Sequence, residues 1–195
     1  MKRLSAYLAL PLAAVLAVGC KAGPKGFMPL ETGHKVVYEV EYAGLLGAVQ
    51  RAEAVQRVEE KTRIGGHEYF RIVTAIKGIP GHVTDTYYQR FAADGLHEVR
   101  YVDGRPVDYL SIPWPLKVGK AWLYNDGLTE MTCRVEERAS AVLPERTYED
   151  AWKISCYSVG SGFKEQTYLV EGVGEVRILQ DFGSLKIEMR LREAG

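Results

Sequence analysis

Residues that could perform catalysis occur in this sequence, but they do not form a recognisable catalytic pattern. His67-Glu68 lacks a second histidine at the spacing that places two metal ligands on one helix face, and Gly160-Ser161-Gly162 lacks the G-x-S-x-G turn of serine hydrolases. The four histidines fall in separate segments, and no zinc signature connects them. We therefore predict no enzyme, no metal centre and no cofactor.

Tyrosine is the abundant residue with the widest chemical use here, with 12 copies. It is common in β-strands, and its amphipathic ring also lines ligand clefts. A structural role and a cleft for an acyl chain, a glycan or a peptide both stay open at this stage. The candidate ligand-binding residues, which would frame a cleft between two halves of the chain, are Tyr87, Tyr88, Trp114 and Tyr168.

The first twenty residues have the pattern of an export signal. Lys2 and Arg3 precede an apolar run over residues 4–18 that ends at Gly19-Cys20. This run is too short for a comfortable membrane span, which needs about 20 apolar residues, and it fits the signal peptide of an exported protein. Residues 16–20, Leu-Ala-Val-Gly-Cys, resemble the lipobox of bacterial prolipoproteins. That resemblance implies cleavage after Gly19 and a lipid anchor, including palmitate-like acyl chains, on Cys20.

The lipid anchor implies that the membrane is a partner of this protein. Residues 20–28 are mostly small and contain glycine and proline, which predicts a flexible tether between the anchor and the folded domain. Lys21, directly after the anchor, resembles the outer-membrane sorting class. We therefore expect an outer-membrane lipoprotein that faces the periplasm.

The composition excludes one large class of partner. Removing residues 1–19 from 195 leaves 176, which suits a single domain over residues 29–195. Lys plus Arg (25) equals Asp plus Glu (25), and the leader holds two of the cations, so the mature chain has a net charge near −2. This balance gives no reason to expect nucleic acid as a partner.

Two cysteines remain besides Cys20. Cys133 and Cys156 form an even pair in an exported chain, where disulfides persist. If a strand around residues 128–138 returns as a strand around residues 150–158, the two positions face each other across the hairpin. The alternative is a pair of free cysteines that pack as small core residues, and the sequence leaves both interpretations open.

From residue 30 onward the pattern predicts one strand after another. Runs of alternating or β-branched residues cover residues 36–42, 68–77, 84–91, 96–102 and 106–112, and glycine-containing turn signals separate them. Residues 48–63 are ambiguous, because their apolar positions fit both a strand and a helix. We favour a strand there.

An internal repeat supports that choice. Pro-Leu-x-x-Gly-x4-Tyr occurs at residues 29–38 and again at residues 115–124, and four further short matches follow in the same order. The matched segments are 57–61 with 134–138, 70–72 with 152–154, 86–87 with 167–168, and 95–100 with 172–177. We predict two related half-units, about 29–110 and 115–193, that meet at the proline-rich joint 112–115.

These patterns predict an all-β fold. Two antiparallel meanders would curl over one shared core, as a partly open barrel or as a two-sheet sandwich. The predicted core residues are aromatic: Tyr38, Phe70, Tyr87, Trp122, Tyr124, Trp152 and Tyr168.

Three motifs in the second half carry a resemblance. They are Gly119-x-x-Trp122-x-Tyr124, Pro144-x-x-Thr147-Tyr148-x-Asp150 and Gly172-Val173-Gly174-x-Val176. Together they resemble those of an uncharacterised group of small bacterial lipoproteins, although Arg146 stands where that group has glycine. A lipid-anchored meander is also similar, more distantly, to the open barrel of the periplasmic lipoprotein carrier and its outer-membrane receptor.

Two functional hypotheses follow. The first is a non-enzymatic envelope lipoprotein whose β-domain binds a hydrophobic small molecule or another envelope protein. The alternative is a structural or assembly lipoprotein with a filled core and no ligand. A large cavity between the two halves favours the first hypothesis, a packed interior favours the second, and convergent titratable groups in a cleft would revive an enzyme.

Overall fold

The computed structural model of this chain describes residues 26–44, 48–78, 83–158 and 160–195. The predicted signal peptide and Cys20 lie outside these residues. Within them, no helix is long and apolar enough to cross a membrane. Twelve strands make up the fold: β1 (Lys35–Gly44), β2 (Val49–Ile64), β3 (His67–Lys77), β4 (Val83–Ala92), β5 (Gly95–Val102), β6 (Arg105–Pro113), β7 (Ala121–Asn125), β8 (Glu130–Val142), β9 (Thr147–Tyr157), β10 (Lys164–Val170), β11 (Gly174–Asp181) and β12 (Leu185–Ala194).

The prediction of an all-β fold is confirmed, and the ambiguous residues 48–63 lie almost entirely within β2. The burial of β8 illustrates why these sequences form strands. Met131, Cys133 and Val135 are buried, whereas Glu130, Arg134 and Glu136 at alternate positions are exposed. This alternation matches a sheet with one face toward a core and one toward water.

All twelve strands belong to one antiparallel sheet, in the order β6-β5-β4-β3-β2-β1-β12-β11-β10-β9-β8-β7. Each half of the chain is a six-stranded meander, and the two halves join where β1 pairs with β12. The sheet curls into a nearly closed barrel rather than two stacked sheets. Strands β6 and β7 are its two edges.

Side chains connect these two edges across a seam. The indole Nε1 of Trp122 on β7 donates a hydrogen bond of 3.0 Å to the main-chain oxygen of Ser111 on β6. The rings of Tyr109 and Tyr124 meet edge to face, with their centroids 5.0 Å apart. The seam is thus held by side chains where the main chain forms no ladder.

The antiparallel order also distinguishes the two ends of the barrel. Loops after odd-numbered strands lie at one end, which we call the open end. Loops after even-numbered strands lie at the other, which we call the closed end, together with both ends of the described chain. Lys35 and Gly195 exchange main-chain hydrogen bonds of 2.7 and 3.0 Å there.

The closed end is filled by residues that the sequence assigned to a tether. Phe27 is only 2% exposed, and its ring centroid lies 4.7 Å from that of Trp114. Met28 is also buried, and it lies so close to Gly174 that a Cβ atom at residue 174 would approach it to 2.9 Å. Phe27 and Met28 of the predicted tether therefore pack against the barrel.

The core differs from the aromatic prediction in detail. Tyr38 is buried, whereas Phe70, Tyr87, Trp122, Tyr124, Trp152 and Tyr168 are only partly buried. Tyr69 is fully buried instead of its neighbour Phe70. A register irregularity between Val58 and Lys61 on β2 alters the pairing beside this pair, and a sequence pattern with a constant period of two does not reveal such a shift.

The five repeated segments fall on strands of matching order in the two halves. Tyr38 lies on β1 and Tyr124 on β7, residues 57–61 on β2 and 134–138 on β8, and the remaining pairs follow on β3 with β9, β4 with β10, and β5 with the start of β11. Each half has six strands. A common origin of the halves stays a prediction, which superposition of the two meanders would test.

The closed end generates a prediction about stability. Replacing Phe27 by Ala should lower the free energy of unfolding by about 3 to 5 kcal/mol, because the change leaves a cavity in the core. Leu128→Ala, at a side chain that is 72% exposed, is the control and should change it by no more than about 0.5 kcal/mol. Urea unfolding measures both, and a neutral Phe27→Ala would mean that the segment is not part of the core.

Candidate functional site

The barrel encloses a cavity of about 590 Å³, which we call the lumen. Every one of the twelve strands contributes at least one residue to its wall. The lumen therefore lies between the two halves of the chain. Its volume falls within the range of about 300 to 1,000 Å³ that is usual for small-molecule sites.

The wall of the lumen has an apolar side. Its largest continuous part lies on β6 to β9, around the seam, and includes Ile112, Trp122, Met131, Ile154 and the disulfide between Cys133 and Cys156. Ile76, Ile178 and Met189 add apolar side chains on β3, β11 and β12. These two cysteines pair directly across β8 and β9. An apolar molecule of modest size can contact this side without displacing any hydrogen bond.

The lumen also has a charged part, on the strands that flank the apolar sector: β4 and β5 on one side, and β10 and β11 on the other. Its charged residues are four carboxylates and one guanidinium group: Asp85, Glu98, Glu165, Glu175 and Arg100. The guanidinium is already paired, since Arg100 Nη1 lies 3.2 Å from Asp85 Oδ2. The remaining carboxylates make the lumen formally acidic.

Hydrogen bonds hold two of these carboxylates in place. Glu98 accepts from the hydroxyl of Tyr109 at 2.7 Å and from Nε2 of Gln89 at 2.8 Å. Glu165 accepts from Nε2 of Gln180 at 2.8 Å. Both carboxylates are thus oriented by neighbours in the wall.

Glu175 is different, because no side chain among the described residues donates a hydrogen bond to its carboxyl group. Tyr38 bonds only its main-chain oxygen, at 3.1 Å. Burial, reinforced by the charges of Glu165 and Glu98, raises the pKa of Glu175 from its ordinary 4.5 to about 8. Burial also raises the pKa of Glu165. At neutral pH, Glu175 is therefore mostly a neutral carboxylic acid at the surface of the lumen.

The lumen opens at the end of the barrel that carries the odd-numbered loops. A depression of about 440 Å³ there shares Arg100, Tyr124, Met131, Glu165 and Gln180 with the lumen, and it is rimmed by the loops after β7, β9 and β11. We call this depression the mouth. The rings of Phe163 and Phe182 stack at its edge, with their centroids 4.6 Å apart.

Six of the nine exposed large hydrophobic side chains of the described residues lie at the open end. Each of its six loops or adjoining strand ends carries a large hydrophobic side chain that is exposed: Val49, Val83, Tyr101, Leu128, Tyr157 and Phe182. We call this set the apolar rim. It surrounds the end at which a ligand would enter.

The four predicted binding residues are not brought together. Tyr87 lines the lumen, and its hydroxyl accepts a hydrogen bond of 2.6 Å from Gln56. Tyr88 does not line the lumen and packs against Tyr101. Trp114 belongs to the closed end, and Tyr168 lies beside Arg177, 5.7 Å from ring centroid to guanidinium carbon. Successive side chains alternate along β4, so Tyr88 points away from the lumen that Tyr87 lines. Trp114 packs against Phe27 at the closed end.

Sequence reasoning missed the lumen carboxylates. A signal for them existed, because Glu98 and Arg100 are in phase with buried Leu96 on β5, and Glu165 is in phase with Leu169 on β10. Charges at inward positions of a period-two pattern point to a polar interior. The described residues contain no group of three or more His, Cys, Asp and Glu that could hold a metal ion.

Comparisons with known proteins identify a fold. No protein-family model matches this chain, and no curated protein matches it either. A Bacteroides fragilis protein, described as exported with a YmcC-like fold, matches at a TM-score of 0.52 and 10% identity over 87% of this chain and 99% of its own. It shows a shared fold and nothing about function.

Two further solved structures are less similar. A Parabacteroides distasonis protein, described as a lipoprotein, gives a TM-score of 0.49 at 13% identity, over 87% of this chain and 98% of its own. A β-barrel-like protein of Brucella abortus, from a domain family of unknown function (DUF1849), gives 0.43 at 11% identity, over 84% and 97%.

The raised pKa of Glu175 predicts how stability depends on pH. The folded protein keeps a proton on Glu175 that the unfolded chain loses above pH 4.5, so this residue lowers stability as pH rises from about 4.5 to 8. The slope is at most about 1.4 kcal/mol per pH unit. Glu175→Gln should flatten that decline and should be more stable than the wild type at pH 8.

Urea unfolding at a series of pH values measures this effect. Exposed Glu171 is close to Glu175 in sequence, and Glu171→Gln should follow the wild-type profile. Identical profiles for wild type and Glu175→Gln would show that Glu175 titrates normally.

Proposed function

We propose that this protein is a lipid-anchored envelope protein that binds a small amphipathic molecule in its lumen and does not transform it. The lumen, open at one end and lined by every strand, is the observation that carries the proposal. The sequence-based alternative, a structural lipoprotein with a filled core, requires a packed interior. An unfilled space of about 590 Å³ whose lining is both apolar and charged supports the binding hypothesis.

The polar groups of the lumen favour binding over catalysis. Asp85 is paired with Arg100, and Glu98 and Glu165 accept hydrogen bonds from wall residues. That leaves Glu175 as the one carboxyl of the described lining without a side-chain partner. A single weak acid without a nucleophile beside it can hold a polar group, whereas acid–base catalysis commonly needs a second positioned group.

The proposed anchor gives the barrel an orientation. Cys20 and the buried Phe27 are separated by residues 21–26, and an extended chain of that length spans at most about 25 Å. A lipid on Cys20 would thus hold the closed end near the membrane, with the mouth directed away from it. Export is supported by the fold shared with the Bacteroides fragilis protein, which is described as exported. Lys21 favours the outer membrane as the destination.

The anchor is tested by replacing Cys20 with Ser in the full chain. The variant should be released from the membrane fraction, or should remain there uncleaved, because the lipid attachment residue is missing. A double Cys133→Ser, Cys156→Ser variant is the control and should stay membrane-bound with its leader removed. Cell fractionation with mass determination gives the result, and a processed Cys20→Ser protein that stays in the membrane would overturn the anchor.

Ligand binding is tested by native mass spectrometry of protein purified from its own membrane. A bound small molecule should be present, and Gln180→Trp should remove it, since Gln180 lines both lumen and mouth. Leu123→Trp adds the same side chain at an exposed position and should keep the ligand. If the wild type carries no ligand and takes up none of the octyl probes described below, the filled-core alternative replaces this proposal.

A further inference from the structure

The polarity of the lumen changes along the barrel axis, and this change bears on the kind of ligand that the lumen binds. Glu175 lies next to Gly174, where β11 begins at the closed end, and Tyr38, which bonds it, lies near the start of β1 at the same end. β11 reaches the mouth at Asp181, six residues later. At about 3.3 Å per residue, that distance is about 20 Å. The carboxyl group without a partner is therefore at the bottom, and the apolar rim is at the top.

The lumen also has more carboxylates than cations. Its lining has four carboxylates and one guanidinium, and Asp85 already pairs with that guanidinium. Carboxylates that share one cavity raise the cost of each other's charged form. A bound molecule that brings donors and a positive charge would relieve this cost.

We infer that the ligand of the lumen carries a basic amine, which Glu175 binds near the closed end, and an apolar chain that runs along β6 to β9 toward the mouth. This inference rests on the proposed function and adds the chemical class of the ligand. The apolar side of the lumen offers the chain Trp122, Met131 and Ile154. An anionic head group would meet Glu98, Glu165 and Glu175 and is disfavoured.

The test uses three probes that share one chain and differ in charge: octylamine, octanol and octanoate. Each is titrated calorimetrically into the full chain in detergent-free nanodiscs at pH 9, where the amine is still cationic, and empty nanodiscs provide the blank. Octylamine should bind at least about tenfold more tightly than octanol, a difference of about 1.4 kcal/mol, and octanoate should bind most weakly. An order in which octanoate is tightest would overturn the inference and point to Arg100.

Three variants locate the head group. Glu175→Gln should remove the preference for octylamine over octanol at pH 9 and leave the affinity for octanol unchanged within about twofold. Glu171→Gln, at an exposed carboxylate, should keep the preference. If Glu165→Gln removes it and Glu175→Gln does not, the amine sits at the mouth and the assignment to Glu175 is wrong.

The dependence on pH provides a second readout. The titratable groups that surround Glu175 are Glu165 on β10, Glu98 on β5, Tyr38 on β1 and Tyr87 on β4. Between pH 9 and pH 6 the preference for octylamine should narrow several-fold in the wild type, because the neutral acid binds a cation less well than the carboxylate. In Glu175→Gln it should change much less. If all three probes bind with equal affinity, the lumen is supported as a binding site, but the inference that its ligand carries a basic amine is wrong.

Discussion

The pairing of the first strand with the last is the constraint on which the rest of this structure depends. The ladder between β1 and β12 runs from Val36 opposite Ala194 to Gly44 opposite Leu185 and joins two meanders into one sheet. It places both ends of the described chain at the closed end and makes β6 and β7 the edges. Curling of a twisted sheet then brings those edges together around a lumen.

The seam solves a problem that this topology creates. Unpaired sheet edges invite pairing with other chains, and here the joint between the halves gives each edge the other as its neighbour. Trp122 bonds the main chain of β6, and Tyr109 packs on Tyr124. Because the contacts are between side chains, the two edges meet without a continuous ladder. The apolar side of the lumen lies along this same seam.

Carboxyl groups in the interior reduce the stability of a protein of this size, and their presence there is informative about function. Carboxyl groups are rarely placed where water is limited unless they are paired. Because the pKa of Glu175 is about 8, its carboxyl group is mostly uncharged at neutral pH. Phe27 and Met28 close the bottom of the barrel beside it. Departures from the usual apolar core tend to occur where a protein binds something. The proposed amphipathic ligand would account for both the polar lumen and the apolar rim.

The sequence by itself determined the features that depend on residues close together in the chain. Alternation and turn residues indicated most of the strands, and the internal repeat indicated a strand over residues 48–63 and two related halves of the chain. The tertiary structure alone decided the pairing of β1 with β12, the burial of Phe27, and which tyrosines reach the lumen. A period of two reports that successive side chains alternate, but not which face is inside, and register irregularities such as that between Val58 and Lys61 reverse the phase. Glu98, Glu165 and Glu175 meet only because strands far apart in the chain close around one space.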